Sequence, residues 1–171
     1  IAVGRPGPVP FEVVSNLVDD MVTVSEAALS RAVVFLLERA KVVAEPAGAA
    51  AVARLLEGPG PLEGPVVAVV SGGNIDPLLL LRIVRHGLTA GGRFLQVTVR
   101  VPDRPGSLAR LLADLAATTA NVVEVNHVRT DSGLAVDEVE IAVDLETRGT
   151  AHREEVLRAL RSAGYRLVFG S

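Results

Sequence analysis

Apolar and polar residues alternate regularly in the second half of the chain. The alternation runs through residues 94–101 and again through 136–145, and a period of two is typical of half-buried strands. Apolar residues at helical spacing follow each of these strands: Leu108, Leu111, Leu112 and Leu115 after the first, and Val156, Leu157 and Leu160 after the second. Further strands are predicted at 121–128 and 165–169. The order βαββαβ predicts an α+β, ferredoxin-like domain at residues 94–171.

Finer features of this domain follow from the same pattern. In the second of its strands we expect Val123, Val125 and His127 to share one face. Residues 131–133, with the sequence Asp-Ser-Gly, are interpreted as the turn into the next strand. Thr150 is predicted to cap the last helix.

The pattern of residues 1–86 is less regular. Residues 1–16 are rich in proline and glycine and are interpreted as a loop, and 18–24 is a candidate strand. Ser25 can cap a helix whose apolar positions recur at helical spacing. A second, alanine-rich helix is predicted from the Glu45-Pro46 break through Leu56, and its small residues would allow close packing against a sheet.

A run of small apolar residues at 66–70 leads directly into Ser71-Gly72-Gly73-Asn74. A short unbroken run rich in valine is typical of a strand that is buried on both faces. Ser71 would then stand at the end of a buried parallel strand, which is where ligands bind in open α/β sheets. Gly72 and Gly73 would let the backbone approach a ligand closely.

The residues after this loop predict a helix. Asp76 can cap it, Pro77 suits its first turn, and the apolar run 78–84 continues it. Residues 87–93 are interpreted as a linker that separates the segment 1–86 from the ferredoxin-like domain. The loop before the helix matches neither a nucleotide P-loop nor a dinucleotide fingerprint. Its pattern alone leaves open an ordinary turn between a strand and a helix.

Composition narrows the range of functions. The net charge is −3 and aromatic residues make up only 3% of the chain, so we expect no nucleic-acid partner for the sheet. No apolar run approaches the ~20 residues of a membrane span, and we expect no membrane partner. Cysteine is absent and His86, His127 and His152 lack metal-ligand spacing, so we expect no metal site. Because the chain begins with Ile1 rather than methionine, we expect a fragment or processed product. It lacks a charged-then-apolar signal segment, and we expect a cytoplasmic protein.

Two segments together carry a family resemblance, namely Glu45-Pro46-Ala47-Gly48-Ala49-Ala50-Ala51 and Ser71-Gly72-Gly73-Asn74-Ile75-Asp76. They resemble the C-terminal part of the catalytic domain of threonine ammonia-lyase (threonine dehydratase), a pyridoxal-phosphate enzyme with the fold of tryptophan synthase β. The resemblance implies that residues 1–86 are an α/β fragment of that domain, and that Ser71 hydrogen-bonds the pyridine nitrogen of pyridoxal 5'-phosphate. It also implies cofactor contacts from Gly72, Gly73, Asn74 and Glu45. Capping of the next helix explains Glu45 equally well.

The turn after the first strand of the second domain carries another resemblance. Asp103-Arg104-Pro105-Gly106-Ser107-Leu108, within a βαββαβ unit, resembles an ACT domain, a regulatory module that senses amino acids. The resemblance implies a homo-oligomer formed through this domain and an amino-acid effector, with isoleucine or valine as the leading candidates. The implied effector site consists of Asp103, Gly106, Ser107, Leu108 and Asn121. An ordinary turn with an N-cap serine is the alternative.

The resemblance also implies an activity, the conversion of L-threonine to 2-oxobutanoate and ammonia, in a pathway that leads to isoleucine. The Schiff-base lysine of the family lies in a Ser-Phe-Lys type motif upstream of this region. That motif is not in the sequence. Lys41 is the single lysine, and it closes a helix where a cation favours the helix dipole. We therefore predict no catalytic residue in this chain, which needs the remainder of the catalytic domain as a partner. The alternative is a non-catalytic amino-acid-binding regulatory module.

Overall fold

The computed structural model describes residues 4–58, 60, 62–129 and 134–168. The chain divides into two compact units, Ile1–Gly87 and Leu88–Ser171. The predicted turn at 131–133 lies outside the described residues, as does the last residue of the predicted strand 165–169. Within the part of the chain that is described, no helix has both the length and the apolar character needed to cross a bilayer.

The second unit is a four-stranded antiparallel sheet with two helices. Its elements are β1 (Phe94–Pro102), α5 (Ser107–Ala117), β2 (Asn121–Val128), β3 (Glu138–Glu146), α6 (Thr150–Ser162) and β4 (Arg166–Val168). The strands lie in the order β2-β3-β1-β4. This topology confirms the predicted βαββαβ, ferredoxin-like fold.

Alternate residues of the two central strands form the core of this unit. β1 and β3 pair along their full length, with Val97 opposite Val143 and Val101 opposite Val139. Their apolar side chains pack with those of the two helices in one buried cluster: Leu95, Val97, Val99, Val101, Val139, Ile141, Val143, Leu145, Leu111, Leu115, Val156, Leu157 and Leu160. The alternation predicted from the sequence therefore separates a buried face from a polar one. On the polar face, the Arg100 Nε lies 2.8 Å from the Glu140 Oε1.

Strand β2 carries an irregularity that the sequence pattern did not predict. Its register against β3 shifts between Val122 and Glu124, so Val123 is an extra residue in a β-bulge. Val122 and Val125 pack against the core, whereas Val123 is 54% exposed. The prediction that Val123 shares the face of Val125 is therefore wrong, because the bulge reverses the alternation at this point.

The last helix begins differently from the prediction. Gly149 is the N-cap of α6 and Thr150 is its first residue, and no side chain caps this end. The buried His152 stabilises the region instead. Its Nδ1 accepts a hydrogen bond from the Arg148 N–H at 3.1 Å, so its Nε2 donates to the Thr118 carbonyl at 2.8 Å. The imidazole thus joins the start of α6 to the end of α5.

The first unit consists of helices in its described residues. They are α1 (Pro8–Leu17), α2 (Glu26–Phe35) with a following π-helical turn (Leu36–Ala40), α3 (Ala50–Leu56) and α4 (Pro77–Ala90). The predicted loop is wrong from residue 8 onward, because Pro8 opens a helix, a position that suits its fixed φ. Residues 4–7 lack regular secondary structure, as predicted, and 1–3 lie outside the described residues. The α4 helix continues past the predicted end of its apolar run at 84.

Neither predicted strand of this unit forms. Residues 18–24 and 66–70 are not strands, and Val67 is 86% exposed. The reason is physical, because a strand is stable only when neighbouring strands satisfy its backbone, and the described residues of this unit contain none.

Close packing of alanines holds α2 and α3 together. Ala28, Ala32, Ala49 and Ala53 are fully buried in one cluster. The small residues of α3 therefore pack against a helix and not against the predicted sheet, because the described residues of this unit contain no strand. The predicted cap of α2 is confirmed, since the Ser25 hydroxyl accepts a hydrogen bond from the Ala28 N–H at 3.1 Å.

A tyrosine gives the second unit a predictable dependence on alkaline pH. The Tyr165 hydroxyl donates a hydrogen bond to the Asp114 Oδ2 at 2.6 Å. Burial, followed by this hydrogen bond, raises the pKa of Tyr165 from 10.0 to about 12. The unfolded chain therefore releases this proton near pH 10, while the folded chain keeps it up to about pH 12. The contribution of Tyr165 to the free energy of unfolding is complete below pH 10 and falls between pH 10 and 12.

We expect Tyr165→Phe to cost about 0.5–1.5 kcal/mol at neutral pH, because one hydrogen bond is lost. The variant should also lose the Tyr165 part of the decline in stability between pH 10 and 12. Urea unfolding followed by circular dichroism at neutral and alkaline pH measures both effects. Asp114→Asn is the matched control, because it keeps the phenol but removes the charge beside it. An equal alkaline decline in wild type and Tyr165→Phe contradicts the prediction.

Candidate functional site

The two segments with the first family resemblance lie backbone to backbone. The Glu45 N–H donates to the Gly72 carbonyl at 2.9 Å, and the Ser71 N–H donates to the Gly48 carbonyl at 3.4 Å. We call residues 43–48 and 71–73 the Ser71 corner. Its contacts lie within the first unit, so the corner forms although the predicted strand before Ser71 does not.

Glycines make this contact possible. A Cβ on Gly48 would overlap the Ser71 carbonyl, and a Cβ on Gly72 would collide with the Glu45 carboxyl group. A Cβ on Gly73 would lie only 3.1 Å from the Val43 carbonyl oxygen. Gly72 also has φ +70°, a conformation that side chains rarely adopt. Glycine is therefore required here by close backbone approach within the chain itself.

The cap of α4 sets the direction of the chain after the corner. The Asp76 Oδ1 accepts hydrogen bonds from the Leu78 and Leu79 N–H groups at 2.9 and 3.0 Å, which confirms the predicted cap. A cleft of about 270 Å³ lies beside this helix start, lined by Glu45, Pro46, Ala47, Asn74, Ile75, Asp76 and Leu79. The structure thus brings Glu45 and Asn74 to one cleft.

The chemistry of the corner fits a flat aromatic ring with a nitrogen at its edge. The Ser71 side chain is exposed, and its hydroxyl can donate one hydrogen bond to such a nitrogen. Gly72 and Gly73 follow it and present no side chain that would hold a ring away. These residues suit the cofactor that the resemblance implies.

Lys41 has a local structural role. It follows the π-helical turn in a left-handed conformation, with φ 58°. Its Nζ donates to the Glu38 carbonyl at 2.9 Å, and the residue is exposed. The ammonium group therefore caps the end of the preceding helix, as the sequence predicts.

The second candidate site lies at the start of α5. A cavity of about 360 Å³ is lined by the turn that follows β1 and by residues of β2 and β3. Its floor is apolar and consists of Val101, Leu108, Val139 and Ile141. Its rim carries the polar groups of Asp103, Arg104, Ser107, His127 and Arg129. The structure therefore brings Asp103, Gly106, Ser107 and Leu108 together, and we call this space the turn cavity.

Gly106 stands in open space at the start of α5. It is the N-cap residue with φ 94°, and a Cβ built on it would meet nothing within 4 Å. The first N–H groups of a helix lack partners inside the helix, so they are available to an anion. The Asp103 N–H donates to the Asp137 carbonyl at 2.8 Å, which ties the turn to the chain just before β3.

Asn121 lies away from the turn cavity of its own chain. It pairs with Glu146 at the far end of the sheet, whereas the turn begins at Pro102, opposite Glu138. Its Nδ2 donates to the Glu146 Oε2 at 3.0 Å. The bulge at Val123 separates it from the rest of β2.

Sequence reasoning missed two residues on the rim. The Arg129 Nε lies 3.3 Å from the Asp103 Oδ2, and His127 pairs with Ile141 on the neighbouring strand. For His127 a signal was available, since it shares its predicted face with Val125. Arg129 carried no signal, because only the sheet brings it to the turn. Among the described residues, no group of three histidine, aspartate or glutamate side chains could hold a metal ion.

Comparisons with known proteins assign both units. Residues 1–72 match the family model for pyridoxal-phosphate dependent enzymes, and residues 95–164 match the model for the ACT domain. The L-threonine ammonia-lyase of Geobacter sulfurreducens is 42% identical over 166 residues, which are 96% of this chain and 41% of the relative. The L-threonine ammonia-lyase of Thermotoga maritima is 43% identical over 165 residues, which are 96% of this chain and 41% of the relative.

A more distant relative shows a similar coverage. The L-threonine dehydratase biosynthetic IlvA of Mycobacterium leprae is 31% identical over 169 residues, which are 92% of this chain and 40% of the relative. This chain spans about two fifths of the length of these curated relatives. It thus joins part of a pyridoxal-phosphate-dependent domain to an ACT domain. Similarity over 96% of this chain to two L-threonine ammonia-lyases confirms the resemblance to the threonine ammonia-lyase family that the sequence carries.

The Ser71 corner generates a testable prediction. Gly48→Ala should destabilise the first unit by about 1–3 kcal/mol, because an added Cβ has no space and must displace Ser71. Amide hydrogen exchange of Glu45 and Ser71 should become faster at the same time. Gly4→Ala is the matched control, since a Cβ on Gly4 meets nothing within 4 Å. Unchanged exchange at both amides in Gly48→Ala would show that the contact does not hold the corner.

Proposed function

We propose that this chain acts within a threonine ammonia-lyase that converts L-threonine to 2-oxobutanoate and ammonia. The observation that carries the proposal is the Ser71 corner, which displays a hydroxyl next to a glycine backbone in the part of the chain that matches pyridoxal-phosphate enzymes. The names of the relatives supply the substrate. We also propose that the reaction takes place in the cytoplasm, in the pathway that leads to isoleucine. The word biosynthetic in the name of the Mycobacterium leprae relative is consistent with such a pathway.

The cofactor contacts are part of this proposal. Pyridoxal phosphate, when bound, supplies the electron sink that allows removal of the α-proton and departure of the β-hydroxyl. Ser71 would donate a hydrogen bond to the pyridine nitrogen, and Gly72, Gly73 and Asn74 would line the same side. A hydroxyl cannot hold this nitrogen protonated as a carboxylate would, which suits β-elimination. Glu45, which lies against Gly72, would help to keep the loop in place.

We further propose that the remainder of the catalytic domain supplies the reactive lysine and covers the first unit. The first unit exposes large apolar side chains that a folded protein normally buries: Val9, Phe11, Val13, Leu17, Val67, Val69, Leu78 and Leu81. The run at 66–70 would then become the buried strand that its sequence predicts, because the added chain would provide its neighbours.

The turn cavity is proposed as the effector site. Its apolar floor suits an aliphatic side chain, and the start of α5 suits an α-carboxylate. Isoleucine or valine is the proposed effector, held by Asp103, Gly106, Ser107 and Leu108.

We also propose that ACT domains pair in a homo-oligomer. Strand β2 is an edge of the sheet and most of its residues are exposed, so it has backbone groups to offer to a second copy. Such pairing would allow Asn121 of a second chain to approach the site.

Ser71→Ala tests the cofactor assignment in the protein that contains this chain together with the rest of the catalytic domain. Loss of one hydrogen bond worth about 0.5–1.5 kcal/mol should weaken cofactor binding about twofold to tenfold and slow turnover. Ser71→Thr keeps the hydroxyl and should bind the cofactor more tightly than the alanine variant. Ser15→Ala, on α1, is the control for removal of a serine elsewhere. Cofactor affinity and turnover that both match wild type would refute the assignment.

Gly106→Val tests the effector site. The valine side chain would stand in the open space at the start of α5, so the variant should bind L-valine or L-isoleucine at least tenfold more weakly by calorimetry. Basal turnover of the full protein should be unchanged. Gly149→Val is the matched control, because Gly149 is the N-cap of α6, also has positive φ and also has open space around it. Sedimentation velocity checks that both variants keep the wild-type assembly state. Equal affinity in wild type and Gly106→Val would show that the site is misplaced.

A further inference from the structure

An ion pair lies on the rim of the turn cavity. The Arg129 Nε is 3.3 Å from the Asp103 Oδ2, and both residues line the cavity. Asp103 lies in the turn after β1 and Arg129 follows β2. The two charges therefore come from segments far apart in the chain and meet because the sheet places both segments at the same end.

This ion pair is easy to separate. The Arg129 side chain is 64% exposed and the Asp103 side chain is 37% exposed. Water and salt screen such a pair, so its net contribution to folding is small. Each charge is therefore available to a ligand group of opposite sign without a large loss of stability.

The floor beneath the ion pair is apolar. Val101, Val139 and Ile141 are each at least 95% buried within the core and close the cavity from below, and Leu108 adds the first turn of α5. A small aliphatic group would contact this floor while its polar end stayed at the rim. The rim offers one anion and one cation 3.3 Å apart.

From this arrangement we infer that the Asp103–Arg129 ion pair is a latch selective for zwitterions. The α-ammonium group of an amino acid takes Asp103, and its α-carboxylate takes Arg129, so both charges exchange one partner for another. The inference rests on the proposed effector site and names the ligand class and the residue, Arg129, that recognises the carboxylate.

Selectivity follows from the charge balance. A 2-oxo acid with the same side chain can pair with Arg129 but leaves Asp103 without its cation. An amine can pair with Asp103 but leaves Arg129 without its anion. The 2-oxo acid and the amine must each separate Asp103 from Arg129, but each then pairs with only one of the two charges. Both should therefore bind more weakly than the amino acid. The proposed reaction yields a 2-oxo acid, and the latch would therefore keep product out of the effector site.

Calorimetric titration of the full 171-residue chain tests the inference with three probes. L-valine carries both charges, 3-methyl-2-oxobutanoate keeps the side chain and the carboxylate, and isobutylamine keeps the side chain and the ammonium group. We expect L-valine to bind wild type at least about tenfold more tightly than either of the others, since each lacks one charged hydrogen bond.

Two variants separate the halves of the latch. Arg129→Gln should lower the affinity for L-valine about 10-fold to 100-fold. Isobutylamine should bind this variant at least as tightly as wild type, because Asp103 no longer forms an ion pair with residue 129. Asp103→Asn should weaken L-valine similarly and leave or improve the affinity for 3-methyl-2-oxobutanoate. Arg110→Gln is the control, because Arg110 pairs with Asp114 on α5 and does not line the cavity.

The outcomes distinguish the inference from the proposal beneath it. If neither L-valine nor L-isoleucine binds wild type, the proposed effector site fails and the latch fails with it. If L-valine binds but the oxo acid binds equally well, the site stands and the latch is refuted. If Arg129→Gln binds L-valine as wild type does, Arg129 is not the carboxylate partner and the latch is likewise refuted. The inference is supported if isobutylamine binds Arg129→Gln at least as tightly as wild type, and 3-methyl-2-oxobutanoate binds Asp103→Asn at least as tightly as wild type.

Discussion

The antiparallel pairing of β1 with β3 is the constraint on which the second unit depends. Because side chains alternate along a strand, this register decides which residues face the helices and which face away. A shift of β1 by one residue against β3 would turn Val101 outward and place Arg100 in the core. The same register sets Val101 beside Val139 at the end of the sheet, so the floor of the turn cavity is simply the edge of the hydrophobic core. The proposed binding site therefore requires no separate apolar structure.

Most of this unit could be predicted from the sequence because its signals are local. Strict alternation identified β1 and β3, and the leucine spacing identified α5. The bulge at Val123 could not be predicted, since it depends on how β2 matches β3 rather than on β2 itself. The meeting of Arg129 with Asp103 was equally beyond reach, because it needs three strands in their final order.

Less of the first unit could be predicted from the sequence. The predicted helix caps at Ser25 and Asp76 were correct, because each depends on contacts within a few residues. Predictions that rest on a sheet failed at 18–24 and 66–70, because the described residues of this unit hold no neighbouring strand to pair with them. The valine run at 66–70 carries the composition of a buried strand while it lies largely exposed. The composition of this run therefore suits a buried strand, and other residues must provide the neighbouring strands that would bury it.

The backbone contact between Gly48 and Ser71 has a consequence for how this region can change over time. The contact joins the two ends of the intervening stretch directly, so the hydroxyl of Ser71 is positioned by its immediate neighbour across the corner and not by the path between them. Gly48 and Ser71 thus bound a stretch whose two ends are held together by this contact. We expect changes of length between α3 and Ser71 to leave the geometry of the corner intact, whereas a single methyl group on Gly48 would not. The number of residues between α3 and Ser71 can therefore vary, whereas the Cα hydrogen of Gly48 cannot be replaced by a methyl group without displacing Ser71.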